Sequence, residues 1–164
     1  TYQNIVYDVL KNSYVANMLE CLKYGIDSSF NLYKLLKLSL TSINNGVSEK
    51  LVCCYFFMQI LKDHGFIFKY QKTDYEYIGY SFFKNSFVDK FNIDYSVFGI
   101  NDSLVKLTYY ISTKNIDFLE GLELSNKDLI KLFSFFNLLF KEYIGIETKS
   151  YKKIIDLEEM LSSK

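Results

Sequence analysis

The sequence predicts a mainly α fold, a helical bundle with a small β-hairpin lobe inserted at about residues 66–91. Three observations carry this expectation. Apolar residues recur at spacings of three and four along most of the chain. Two of the segments so marked are oily on nearly every side, as helices at the centre of a fold are. Between them the pattern changes to aromatic and β-branched residues separated by short polar breaks, the composition of strands. With 164 residues the chain has the size of one domain, 1–164, and folding at this length removes roughly 68–70% of the unfolded chain's surface from water.

The elements follow in order. From about Asn4 to Lys23, Ile5, Val6, Val9, Leu10, Val15, Met18, Leu19 and Leu22 define an amphipathic helix closed by Gly25. A second helix starts from a Ser28/Ser29 cap, carries Leu32, Leu35, Leu36 and Leu40, and stops at Asn44-Asn45-Gly46, where glycine accepts the left-handed conformation. A third begins near Ser48 and runs to Asp63. The connection between the second and third is short, which predicts an antiparallel hairpin. The third helix, Leu51 to Leu61, has almost no polar residue before Gly65 ends it.

From Phe66 to Phe98 the aromatics Phe68, Tyr70, Tyr75, Tyr77, Tyr80, Phe82, Phe83, Phe87 and Phe91 are broken by Lys72-Thr73-Asp74 and Lys84-Asn85, which predicts two or three short strands. These rings have two readings, stacking on bases or holding a small lobe together. A helix follows from Asn101 or Asp102, then a connector from Thr113 to Leu124. Ser125-Asn126-Lys127-Asp128 opens the next helix with a capping-box pattern and an acid favoured by the helix dipole; this helix, through Tyr143, is the second oily one. The last helix, near Ser150 to Leu161, is expected to turn Ile154, Ile155, Leu157 and Leu161 inwards and Lys152, Lys153, Asp156, Glu158 and Glu159 to solvent.

Composition narrows the function. Apolar residues make up 49% and aromatics 18% of the chain, which excludes a disordered tail. All nineteen basic residues are lysines, matched by nineteen acids, so no global field draws the protein to nucleic acid or to a membrane surface. Local patches must do so. The absence of arginine and proline, with abundant Asn, Ile, Lys, Phe and Tyr, points to an AT-rich genome, and lysine binds phosphate only as a point charge. Cys21, Cys53 and Cys54 lie in apolar stretches and read as reduced core residues of a cytosolic protein. Thr1 follows no Met and no signal peptide is recognisable, so the chain is expected to come from a longer protein. The longest apolar run, Leu51 to Met58, is far short of a membrane span.

Catalytic signatures are missing: no phosphate-binding glycine loop, no dinucleotide fingerprint, no zincin motif and no nucleophile elbow occur. Asp63-His64-Gly65 sets an acid beside the single histidine, at a helix C-terminus where histidine is favoured electrostatically. The chain is therefore expected not to be an enzyme, and to need neither metal nor cofactor.

Three stretches together resemble one family. Ser13-Tyr14-Val15-Ala16-Asn17-Met18-Leu19-Glu20 is similar to the helix after the N-terminal OB domain of RecO proteins, in which a Tyr and a Glu occur at this spacing. Leu32 to Gly65, ending in Phe57-Met58-Gln59-Ile60-Leu61-Lys62-Asp63-His64-Gly65-Phe66, resembles the family's helix pair. Glu142-Tyr143-Ile144 followed by Lys149-Ser150 resembles its penultimate helix end and the Lys-Ser or Arg-Ser pair that opens its last helix. The resemblance covers nearly the whole chain as the C-terminal helical domain of these bacterial recombination mediators. Two departures fall near the lobe and upstream of it. Phe68 stands near a position where many members have proline, and 70–91 lack the two cysteine pairs that hold zinc in many members; the N-terminal OB domain, a main DNA-binding surface of the family, is missing from this chain.

The resemblance implies a role in DNA repair and recombination: binding single- and double-stranded DNA, weakly for this fragment, acting with RecR, and contacting the acidic tail of single-strand-binding protein. Residues that suit such anionic partners are Lys149, Lys152 and Lys153 at the start of the last helix, where backbone N–H groups would add their own attraction. Lys141 lies one helix earlier, and Lys127 and Lys131 share a face at i to i+4. A plain solvated helix face is the competing reading of these lysines. The competing function is a helical protein–protein adaptor with no nucleic-acid role, docking through the lobe. An enzyme built around His64 would require that residue to line a pocket with a perturbed carboxylate.

Overall fold

A computed structural model of the chain describes residues 2–25 and 30–163. Among the described residues there are seven α-helices and a three-stranded antiparallel sheet. The helices are α1 (Gln3–Val6), α2 (Val9–Leu22), α3 (Phe30–Asn44), α4 (Glu49–Asp63), α5 (Asp102–Thr113), α6 (Asn126–Ile144) and α7 (Lys149–Ser162), with a 3-10 turn at Ile116–Leu119 before α6. The strands are β1 (Gly79–Ser81), β2 (Ser86–Val88) and β3 (Val97–Gly99). This is the mainly α bundle with a small β lobe that the sequence predicts.

The two oily helices form the centre. Leu51, Val52, Cys53, Cys54, Phe56, Phe57, Met58, Ile60 and Leu61 of α4 are all essentially inaccessible, as are Leu132, Phe133, Phe135, Phe136, Leu139 and Phe140 of α6. Among the described residues these two helices make the most extensive contact between elements, through rings such as Phe57 against Phe140 at 5.7 Å and Phe133 at 6.2 Å. Each such ring, fully buried, contributes about 1.5–3 kcal/mol relative to exposure. Helices α2, α3 and α5 pack around α4, and α7 packs on α2.

The predicted helix from Asn4 to Lys23 is two helices. Asp8 is extended and its carboxylate accepts the Lys11 N–H at 3.0 Å, so it acts as an N-cap that starts α2 afresh and leaves α1 as a single turn. The Ser28/Ser29 cap lies outside the described residues. Helix α3 ends as expected at Gly46, whose φ is +99°, and its last turn is held from α1: Asn4 donates its backbone N–H to the Asn44 side chain and its amide to the Asn44 carbonyl. Asn101 and Ser125 cap α5 and α6 with side-chain oxygens.

The lobe departs from its predicted limits at both ends. Residues 67–77 form no strand and bend at 74–75, and the third strand lies beyond residue 91. Ring packing holds the start of this segment: Phe66 meets Tyr143 at 5.1 Å, and Phe68 meets Phe87 at 5.3 Å. In the sheet β1 is central, with Tyr80 opposite Phe87 on one side and Phe98 on the other. Tyr80 and Phe98 reach Phe135 of α6 at 5.5 and 5.4 Å, which fastens the sheet to the bundle. Asp94 then ties the loops together. The hydroxyls of Ser81 and Ser96 donate to its carboxylate and hold its pKa below the usual range.

Gly79 permits the close approach of β1 and β3. A Cβ there would lie 2.5 Å from the Phe98 carbonyl oxygen and 2.6 Å from Val97, whereas one at its partner Gly99 meets nothing within 4 Å. Gly79→Ala is therefore expected to destabilise by about 1–3 kcal/mol, and Gly99→Ala to stay within ~0.5 kcal/mol of the parent. Urea unfolding of the two variants reads the contrast; equal losses would contradict it.

Candidate nucleic-acid interface

The last helix is anchored by polar contacts from α2. Glu20 accepts the Lys149 N–H, and its second oxygen accepts the Ser150 N–H at 3.1 Å and the Ser150 hydroxyl at 2.8 Å. Asn17 donates to Thr148 and Ser150 at 2.9 and 2.7 Å. One helix turn before Asn17's neighbour Met18, Tyr14 donates its hydroxyl to Glu158 at 2.8 Å, and Glu158 forms a 2.7 Å ion pair with Lys50 of α4. Both partners of that pair are about 95% buried.

Two expectations are corrected here. Glu158 points inwards, not to solvent, while Leu161 is 45% exposed. The inward stripe of α7 runs through Tyr151, Ile154 and Glu158, and the acid is admitted because Lys50 and Tyr14 await it. The backbone N–H groups at the start of α7 do not add attraction for an external anion, because the Glu20 carboxylate already occupies them.

The candidate lysines separate into two groups. Lys141 is paired with Glu147 at 3.5 Å. Lys127, Lys131, Lys149, Lys152 and Lys153 are exposed, and among the described residues no carboxylate pairs with their ammonium groups. Lys127 and Lys131 lie in the first turns of α6, and the others in the first turns of α7. The Tyr151 hydroxyl meets Ser134 at 2.9 Å, which places the first turns of α7 against the middle of α6.

Sequence reasoning did not separate a second surface. The lobe's rings divide into an inner set, Phe68, Tyr77, Tyr80 and Phe87, which is buried, and an outer set, Tyr75, Phe83, Phe91 and Tyr95, which is 52, 68, 65 and 90% exposed. Flanking charge would not have separated the two sets, because it adjoins inner rings (Lys69 after Phe68, Glu76 before Tyr77) as well as outer ones (Lys84 after Phe83, Lys90 before Phe91).

His64 and the cysteines, the residues weighed for catalysis, are a hydrogen-bonded helix-end histidine and three buried thiols. His64 hydrogen-bonds through Nε2 to the Tyr24 carbonyl at 2.8 Å, tying the end of α4 to that of α2. Burial pushes the thiols of Cys21, Cys53 and Cys54 up, away from the reactive thiolate. The carboxylates held below their ordinary range, Glu20, Asp94 and Asp102, belong to other elements and meet backbone N–H groups, hydroxyls or Lys106. Among the described residues no three His, Cys, Asp or Glu side chains cluster as metal ligands, and no helix is long and apolar enough to cross a membrane.

Partial burial raises the Glu20 pKa, but the Lys149 N–H and the two Ser150 donors outweigh that and hold it below the ordinary value. A lowered folded pKa contributes stability that is complete above the unfolded value, about 4.3 for Glu, and is lost as pH falls through the folded value. Glu20→Ala is expected to cost about 0.5–2 kcal/mol at neutral pH, with the difference from the parent shrinking in acid. Chemical denaturation at neutral and acidic pH measures it; a difference independent of pH would contradict the capping role.

Compared with protein-family models, curated proteins and solved structures, the chain matches none.

Proposed function

We propose that this chain is a non-catalytic module of a RecO-like recombination mediator, acting in DNA repair in the cytoplasm. In this reading it contributes to binding single- and double-stranded DNA, RecR, and the acidic tail of single-strand-binding protein. The observation that supports it is the meeting of two stretches that carry the family resemblance. Tyr14 and Glu20 from the first stretch hold the last helix, Glu20 at the Lys149-Ser150 pair and Tyr14 at Glu158. The pieces of sequence that resemble the family thus do one job together, although 129 positions separate Glu20 from Lys149.

The free lysines suit the partners this reading requires. DNA phosphates and an acidic peptide both present closely spaced negative charge, and a lysine that is not ion-paired keeps more of its attraction for them than one that is. Such contacts are sequence-blind and weaken with salt, because each neutralised phosphate releases counterions. Lys141, spent on Glu147, contributes less than the other five.

Replacing Lys149, Lys152 and Lys153 together by Ala is expected to lower the salt slope of single-strand binding by about 2, at roughly 0.7 per lysine. The melting temperature should hold, since these side chains touch no core. Fluorescence titration of a labelled strand across a salt series measures the slope, with a pull-down against RecR and single-strand-binding protein in parallel. Failure to bind a strand, RecR or the acidic tail would overturn the proposed function.

A further inference from the structure

The outer aromatics of the lobe form two ring pairs linked through a lysine. Tyr75 and Phe91 meet edge to face at 4.9 Å, and the Lys90 ammonium lies over both rings, 6.0 and 5.0 Å from their centres. Asn92, next to Phe91, accepts the Lys84 ammonium at 2.9 Å; Phe83, next to Lys84, meets Tyr95 at 6.0 Å. Two exposed ring pairs therefore flank two lysines. Tyr75 also lines the mouth of a cleft of about 410 Å³ between the lobe and α5.

We propose that this face is a stacking platform for single-stranded nucleic acid, with Tyr75, Phe91, Phe83 and Tyr95 taking bases and Lys84 and Lys90 taking the intervening phosphates. The proposal rests on the DNA-binding reading above and adds to it a second surface, on a different part of the fold from the α6 and α7 lysines. Neither pair is stacked face to face, all four rings are at least half exposed, and every base offers a π-face to them, so stacking needs no sequence preference. Composition favours a nucleic acid over a protein partner. Lysines sit within the patch, whereas protein interfaces are depleted of lysine. Of the acids nearby, Asp89 accepts from the Phe91 N–H and the Asn92 amide, and Asp94 from Ser81 and Ser96, while the exposed Asp74 and Glu76 flank Tyr75, so the phosphate-binding charge of the face lies at Lys84 and Lys90. Lys90 has no carboxylate partner among the described residues, and Asp94 approaches Lys84 only at 4.0 Å.

The test titrates the full chain, at low salt, with labelled oligo-dT and with an abasic strand of the same length. The parent is compared with Phe83→Ala/Tyr95→Ala, Tyr75→Ala/Phe91→Ala and the triple lysine variant of α7. The platform predicts tighter binding of oligo-dT than of the abasic strand. It also predicts a loss of roughly five- to hundredfold on oligo-dT for each ring pair removed, with the abasic affinity unchanged. Because all four rings are at least half exposed, melting temperatures should hold, and the Phe83/Tyr95 variant, farther from the cleft, remains informative if the other is destabilised. Equal affinity for both strands, or ring variants that bind like the parent, would overturn the platform; a loss confined to the triple lysine variant would leave the DNA-binding reading standing. Binding of neither strand overturns both, and binding of an acidic peptide alone, abolished by Phe83→Ala/Tyr95→Ala, would reassign the face to a protein partner.

Discussion

Helix α4 is oily on nearly every side and yet carries Lys50, 3% exposed, in its first turn. An ammonium in that position must be neutralised and hydrogen-bonded, since an isolated buried charge costs several kcal/mol. Glu158 supplies the opposite charge at 2.7 Å, Glu49 a second carboxylate at 3.0 Å, and the Tyr14 ring lies 5.0 Å from the same nitrogen. Tyr14 in turn donates to Glu158, and desolvation, reinforced by the buried carboxylate beside it, keeps its hydroxyl protonated. One requirement at the start of the central helix thereby recruits α2 and α7 and closes the bundle from both ends of the chain.

The Glu20 cap sits on the same α2–α7 contact. With α7 fixed at its first turn by Glu20 and lower down by Glu158, its exposed side presents Lys149, Lys152 and Lys153 on a rigid support. Attraction for anions at that place then comes from side-chain charge alone, because the helix end has its own carboxylate. The lobe is fastened at a different point, Phe135. Its inner rings are packed inwards and its outer rings face water, so the two readings of the aromatics, core and contact surface, apply to different residues of one lobe.

Much of this architecture was legible in the sequence. The apolar runs of α4 and α6 marked the centre, Gly46 marked the end of α3, and Asn101 and Ser125 marked helix starts that their side chains do cap. What escaped depends on partners distant in sequence or on very short elements. Asp8 lies inside a periodic apolar pattern, and only its cap bond to Lys11 reveals the break. Glu158 looks like its solvated neighbour Glu159 until Lys50 is placed opposite it. Val97–Gly99 is too short to display alternation, and it becomes a strand because Gly79 lets it approach β1. Of the candidate lysines, the sequence could not distinguish the paired Lys141 from the free ones, since Glu147 reaches it across a turn.

The buried pair is open to a direct measurement, a double-mutant cycle on stability with Lys50→Met and Glu158→Leu. Each single replacement strands a charge inside the protein and is expected to cost about 3–5 kcal/mol, Glu158→Leu less because Glu49 still accompanies Lys50. The double variant, with neither charge present, should lose far less than the sum of the two. Strictly additive losses, with no coupling between the sites, would contradict the claim that this pair closes the bundle.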